Sequence, residues 1–528
     1  RLGRSGNDYF TDGMFIDAVT VNGQKVPWKN DPKIFTVASL PLPQPLAAHD
    51  SVKLTFDWHF DVSVQSGREG AIDSTTFYLA YFYPRIAVYD DYNGWDRTPF
   101  NDALEFYSDF NDYTLNVQVP PNYVVWATGT LTNPTAVLRP AIANRYKQSL
   151  TDDNIVKIAS PQDLAAKAVT TPNDVNTWQF TSANIPDVAL GLSDHYVWDG
   201  GSVVVDGATG RRASVQAAYN DTAKDFHYMV NFAKQSLDYV SKGWPGVPYP
   251  YEKSTVFQGY ADMEYPMMVN DSSFPDTTFS RFVVMHEIAH TYMPFYMGIN
   301  ETVYGFMDEG WATAFEYLFN VEKMGKEKAD DFFRQFRVQG WATAAGKGQT
   351  DVPIVTPLQE TPPQSIGNNE YGKPALGYLA VKDLLGDAMF KKALQEYMAG
   401  WNSKHPLPWD FFNSFSSSTG QNLNWFWNRW FFTGGYIDLS LKSVKAVGNG
   451  TTVSIQNVGG LPAPFDVVVV YTDNAEERFH QTPVVWQKDG RTADITIKTK
   501  KAVASVKLNG GIFMDATPKD NEWKKGAL

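Results

Sequence analysis

The run Val284-Met285-His286-Glu287-Ile288-Ala289-His290, with Glu309 nineteen residues further on inside Met307-Asp308-Glu309-Gly310-Trp311, brings together residue types that can hold and use a metal ion. On a helix, residues four apart share one face with their Cβ atoms roughly 5–6 Å apart. His286 and His290 can therefore direct two imidazoles at one small cation, and Glu309 supplies a third ligand. Glu287 is turned away from both histidines and reads as a general base toward water, not as a ligand. Three protein ligands leave one tetrahedral position open, as a catalytic zinc site requires. The bland alternative is a chance histidine pair on a core helix. The downstream glutamate, in a chain with only eight histidines, favours a zinc hydrolase.

The surrounding pattern predicts two helices to position these groups. Asp276, Thr277, Thr278 and Ser280 are N-cap candidates, Phe279, Phe282, Val283, Ile288 and Ala289 form a core-facing surface, and Pro294 ends the segment. A second helix is expected from about Asp308 to Gly325. On it Glu309, Thr313 and Glu316 fall on one stripe facing the first helix, with Glu316 placed to support a ligand.

At 528 residues the chain is longer than one core accommodates, so two to four domains are expected. Its 43% hydrophobic and 20% charged residues describe a globular protein. A net charge of −13 argues against nucleic acid and anionic membranes as partners. No apolar stretch approaches the roughly 18 residues of a membrane span. Cysteine is absent, so a metal site here must be built from His and Glu. The chain opens on Arg1, with strand-like sequence from Gly13 to Val21, and an amino-terminal leader and some early strands are expected to be missing. Aromatic content of 15% and many Asn, Asp and Gly turns suit an exported bacterial protein, periplasmic or extracellular.

From the start to residue 199 the pattern is that of an antiparallel β domain, with strands over 52–58, 113–119 and 123–129 and a helical insert over about 141–170. From residue 200 the period changes to helical. Phe226, Met229, Val230, Ala233, Leu237 and Val240 mark an amphipathic helix, and the strand Ser254 to Gln258 precedes the histidine run. Helices dominate to residue 437, with a loop expected from Gln359 to Asn369. After Gly434-Gly435 strands return, spaced for a small β-sandwich over 438–528. The expected domains are thus 1–199, 200–437 and 438–528. Two further clusters read as structural. Asp90, Asp91, Asn93 and Asp96 carry oxygen ligands suited to calcium, but without a calcium-loop spacing they form a solvated turn. Trp425, Trp427 and Trp430, in a Phe-rich helix, are core and not a sugar platform.

With Glu309 after eighteen intervening residues, the metal motif resembles that of the gluzincin zinc aminopeptidases, the family of aminopeptidase N and the leukotriene hydrolase-aminopeptidase. Gly259-Tyr260-Ala261-Asp262-Met263-Glu264-Tyr265-Pro266 is similar to the family's glycine-x-methionine-glutamate exopeptidase motif, with three residues between Gly259 and Met263 where the family has one. Tyr371-Gly372-Lys373 resembles its tyrosine-x-lysine-glycine motif, with Pro374 in place of glycine, and Asp308 stands where asparagine is commoner. Glu105-Phe106-Tyr107 and 123–129 look like its saddle-shaped β domain, and 425–436 like the end of its catalytic domain.

The resemblance implies a multi-domain α+β protein: an amino-terminal β domain, a thermolysin-like, mostly helical zinc domain and a carboxy-terminal β-sandwich. The 91 residues from 438 are too few for the large helical domain of many relatives, which implies a more open cleft. It implies one Zn2+ on His286, His290 and Glu309, Glu287 as base, and Tyr371 as donor to the developing oxyanion. Glu264 would bind the substrate's free α-ammonium. Gly259, Tyr260 and Met263 would line the substrate site, as would Tyr378, two helical turns beyond Tyr371. Asp73 is the candidate for a second anchor of the amine. Peptides with a free amino terminus are the implied substrates. Ser254 to Gln258, if an edge strand, would pair with their backbone. An endopeptidase or epoxide hydrolase using the same zinc, and a non-catalytic binding protein of this fold, are the alternatives. Glu264 argues against the first, and the intact set of His286, Glu287, His290, Glu309 and Tyr371 against the last.

Overall fold

The structure, a computed structural model, describes residues 11–29, 36–64, 67–100, 104–349 and 351–526. By compactness the chain divides into one unit of residues 1–243 and 248–298 and a second of 244–247 and 299–528.

The first unit begins with β structure. Phe15–Val21 pairs antiparallel with Leu54–His59, and Asn111–Val119 pairs with Asn176–Ile185. A four-stranded sheet runs Gly70–Asp73, Thr76–Leu79, Leu190–Ser193, Val124–Ala127. The alternation read from the sequence is visible in Asn111–Val119, whose side chains are alternately exposed and covered. The segment expected to be a helical insert is helical only in part. Pro140–Ser149 and Pro161–Ala165 are helices, but Val156–Ala159 between them is a strand. It pairs antiparallel with Val197–Asp206, which recruits it as the edge of a larger sheet. Four residues are too few to show a period that distinguishes strand from helix.

That larger sheet has six strands in the order Val156–Ala159, Val197–Asp206, Arg211–Tyr219, Lys253–Gln258, Met268–Asp271, Met263–Tyr265. Lys253–Gln258 is parallel to both neighbours and is interior, so the edge position considered for it is corrected. Its near-continuous burial is what a strand covered on both faces requires. The edge strand is instead Met263–Tyr265, which carries Glu264. One hydrophobic core joins this sheet to the amino-terminal β structure, with Trp126, Trp178, Trp198, Phe257, Tyr265 and Met268 all buried in it. Full burial of such side chains contributes about 1.5–3 kcal/mol each. The helices Met229–Lys242 and Thr277–Ala289 pack on each other, and the first also lies on the sheet.

The second unit is helical and then β. Glu309–Met324 and Lys373–Leu385 pack together around aromatic side chains, with Trp311 stacked on Tyr378 at 3.9 Å between ring centroids. Trp427 and Trp430 are buried with them, as expected of core residues. The segment 359–369, expected as loop, is instead short helical turns: Leu358–Glu360, Pro363–Gly367 and the π-helical Asn368–Gly372, which runs directly into Lys373–Leu385. Pro363 sits at the start of its helix, where a missing N–H costs nothing. The carboxy-terminal part is a sandwich. One sheet is Leu439–Val447, Gly450–Asn457, Thr492–Ile497, and the other is Glu476–Gln481, Phe465–Tyr471, Val503–Asn509, Glu522–Lys524. Val453, Ile455, Val467, Val469, Trp486 and Val506 form its core. The protein thus has an amino-terminal β-rich region, a helical middle and a carboxy-terminal β-sandwich, with no helix among the described residues long and apolar enough to cross a membrane.

Candidate active site

The histidine helix Thr277–Ala289 starts at Asp276, whose side chain accepts from the Thr278 backbone N–H. Asp225 ties the same end down, accepting from Ser280 Oγ at 2.8 Å and from the Phe274 N–H at 2.9 Å. At the other end the Nε2 atoms of His286 and His290 face each other at 3.3 Å, both residues being buried. Two nitrogens about 2.0–2.1 Å from one tetrahedral zinc ion would lie about 3.3–3.4 Å apart. The pair therefore fits a shared ion, and imidazole nitrogens are donors of the type zinc takes. The chain leaves helical geometry at Met293, inside the π-helical turn Thr291–Tyr296, and the Met293 carbonyl lies 3.2 Å from His290 Nδ1. A carbonyl accepting from Nδ1–H leaves the Nε2 lone pair free for a metal.

Glu264 and Glu287 are buried carboxylates in the same unit. Ligand atoms of Glu264, Glu287 and His290 all lie within 4.8 Å of one another, and Glu264 Oε1 is 3.7 Å from His290 Nδ1. Two buried carboxylates this close favour a cation between or beside them.

The loop ahead of Glu264 explains its unusual length. Asp262 is in the left-handed region at φ 50°, and its carboxylate accepts from the Ser272 N–H at 2.7 Å, which closes the extra residues into a turn. Gly259 lies so close to Asn270 that a Cβ there would stand 1.8 Å from Asn270 Oδ1. Tyr260 is about half exposed and donates to the Ile72 carbonyl. Met263 is buried, its sulfur accepting from Arg68 Nη1 at 3.1 Å.

Asp73 pairs with His195 at 3.4 Å. The carboxylate next to Glu264 is another: Glu105 offers an oxygen within 4.8 Å of Glu264's. Arg68 grips Glu105 with both terminal nitrogens. In the sequence Glu105 stands out only within Glu105-Phe106-Tyr107, the segment that resembles a β domain. Its approach to Glu264, 159 residues away, leaves no local signal.

In the second unit Glu309 is buried at the start of the helix Glu309–Met324 and accepts from the Tyr371 hydroxyl at 2.5 Å. Gly310 lets the Tyr371 segment approach: a Cβ there would be 2.9 Å from Pro374 Cβ and 3.1 Å from Tyr378 Cε2. Pro374 thus occupies, as a flat packing surface, the place of the glycine usual in the motif. Glu316, two turns after Glu309, receives two hydrogen bonds from Arg337, Nε to Oε1 at 2.8 Å and Nη2 to Oε2 at 2.7 Å. Arg337 belongs to no motif in the sequence. The available signal was indirect, since a glutamate on a buried stripe needs a counter-charge. Tyr378 is fully buried, stacked on Trp311, with its hydroxyl donating to the Phe306 carbonyl at 2.9 Å. A ring held this way is core, and the substrate contact expected of it is corrected. Asp90, in the acidic turn, accepts from the N–H of Tyr92 and Asn93 and so caps its own hairpin.

Residues 261–430 match the peptidase family M1 domain. No curated protein sequence matches the chain significantly. Among solved structures, a glutamate-to-alanine mutant of the M1 zinc metallopeptidase of Deinococcus radiodurans aligns with a TM-score of 0.52 at 15% identity, over 80% of this chain and 85% of that one. The aminopeptidase A of Legionella pneumophila, in complex with aspartic acid, aligns with a TM-score of 0.61 at 12% identity, over 96% of this chain and 55% of that one. The present chain therefore spans about half the length of the second protein. At such identities the likeness concerns the fold, and it is the fold expected from the sequence. The class is that of the metallopeptidases. Within it, residues 261–430 are similar to the peptidase family M1 domain, the domain of the aminopeptidase N type of gluzincin.

Proposed function

We propose that this protein is a zinc-dependent aminopeptidase that hydrolyses the first peptide bond of peptides with a free amino terminus, with one zinc ion held by His286, His290 and Glu309. The spacing of the three residues supports the ligand set, as does the facing pair of Nε2 atoms at 3.3 Å. An ion held there would supply Lewis-acid polarisation of the scissile carbonyl and a water whose pKa is lowered to about 7. Glu287 would take a proton from the attacking water and pass it to the leaving amine. Tyr371 donates its hydroxyl proton in a hydrogen bond to the oxyanion as it forms.

The observation that carries the exopeptidase reading is Glu264, a buried carboxylate beside Glu287 and His290. Its strand, Met263–Tyr265, is a sheet edge and can add the substrate backbone as a further strand. An ammonium bound to Glu264, with Glu105 as a second carboxylate, fixes which peptide bond reaches Glu287.

Mass spectrometry of peptide digests tests this. Free peptides should shorten stepwise from the amino end and acetylated copies should be nearly inert, while Glu264→Ala should lose much of that discrimination. Internal cuts in free and acetylated peptides alike would mean an endopeptidase and would overturn the role of Glu264.

A further inference from the structure

We propose that Arg337 is a positioning residue for Tyr371, acting as a clamp that holds the phenol ring where its hydroxyl can donate. The inference rests on the role of Tyr371 proposed above. Both residues lie in π-helical turns, Arg334–Val338 and Asn368–Gly372, and such turns are frequent at functional sites. The two turns touch through their backbones. A Cβ on Gly372 would stand 2.0 Å from the Arg337 carbonyl oxygen, so glycine beside Tyr371 is what allows the approach.

From that position the Arg337 guanidinium lies over the face of the Tyr371 ring, 5.0 Å from its centroid, and 4.7 Å from that of Phe336. A cation over an aromatic face is attracted to it, more strongly when desolvated. The Arg337 side chain is 12% exposed and Glu316 only 2%. The bidentate Glu316 contact fixes the plane of the guanidinium, since a planar fork meets a carboxylate in one orientation.

The contacts close a ring. Glu309 and Glu316 stand on one helix. Glu309 takes the Tyr371 hydroxyl, Arg337 covers the Tyr371 ring, and Glu316 holds Arg337. Tyr371 is thereby held at its hydroxyl by Glu309 directly and at its face by Glu316 through Arg337, the two glutamates standing two turns apart on the same helix. Without the clamp the ring can rotate, and a misplacement of about 1 Å can cost on the order of 10²-fold in rate.

The test is a double-mutant cycle in the zinc-loaded enzyme with an aminoacyl anilide substrate. Arg337→Met should lower kcat about 10-fold or more with KM within about twofold. In a Tyr371→Phe background the same change should add less than about twofold, because the hydroxyl it positions is gone. Arg337→Lys, which keeps charge but not the planar fork, should recover only part of kcat. If Arg337→Met does not fold, the paired replacement Glu316→Leu with Arg337→Met removes both charges, and its cycle with Tyr371→Phe decides in the same way. Equal losses with and without the Tyr371 hydroxyl, or a loss falling on KM, would overturn the clamp. Full turnover in Tyr371→Phe alone would instead overturn the role of Tyr371 itself.

Discussion

Glu287 and Lys253 are both buried ionisable groups, with opposite consequences. Glu287 sits beside Glu264 and His290, where its charge has a use, and replacing it with glutamine keeps shape while removing the base. Glu287→Gln should bind zinc and melt like the parent yet lose about 10²-fold or more in turnover. Activity within a few-fold of the parent would exclude it as the base. Lys253, on the interior strand, has its amine fully enclosed, donating to the Ala127 carbonyl and to Thr255 Oγ1. Burial pushes its pKa down to about 7 from the ordinary 10.5. Between those values the unfolded chain binds a proton that the folded chain lacks, so this group's contribution to stability rises with pH through the window and is lowest below pH 7. Lys253→Met should therefore stabilise the protein near pH 7, by on the order of 1–3 kcal/mol after allowance for the carbonyl left without its donor. The gain should shrink toward pH 10. Thermal melts of both proteins across that range check it, and a gap that widened with pH would contradict the assignment.

At the scale of elements, the meeting of the helices Glu309–Met324 and Lys373–Leu385 matters most in the second unit. Gly310 against Pro374 sets their separation, and the 2.5 Å contact between Glu309 and Tyr371 depends on it. Gly310→Ala favours the helix by about 1 kcal/mol but forces a Cβ into a rigid proline ring, and overpacking of this kind costs about 1–3 kcal/mol. The variant should melt lower and lose turnover about tenfold. A variant with unchanged melting and full activity would show that the helices part without consequence.

For the whole molecule, the proposed ligands couple metal to both activity and stability. A strong chelator should abolish hydrolysis and lower the melting temperature, because an ion bound only by the folded chain stabilises it. Zinc added back should restore both at about one ion per chain. Glu309→Ala should retain neither zinc nor activity, and metal analysis showing a full complement in that variant would refute the ligand set. The carboxy-terminal sandwich contains one histidine, His480, which lies between Asp466 and Asp383 at 2.8 and 2.9 Å. It holds the sandwich to the end of the helix that follows Tyr371 and makes no claim on the chemistry.

What could be read without coordinates was whatever depends on neighbours along the chain. His286, Glu287 and His290 are legible because a helix fixes residues four apart on one face wherever it lies. The alternating strands, the aromatic core helix and the β return after Gly434 are legible for the same local reason. What folding alone decided is pairing between distant segments. Lys253–Gln258 reads as a strand, but only the sheet order makes it interior and hands the edge to Met263–Tyr265. Val156–Ala159 is a strand because Val197–Asp206 is there to receive it. Tyr378 looked available from its spacing and is consumed by Trp311. That Glu105 meets Glu264 and Arg337 covers Tyr371 has no signal in the motifs, because each pair joins segments remote in sequence. Periodicity specifies which face a residue takes on its own element, whereas the partner it meets there is set by hydrogen-bonded register and by close packing of remote side chains.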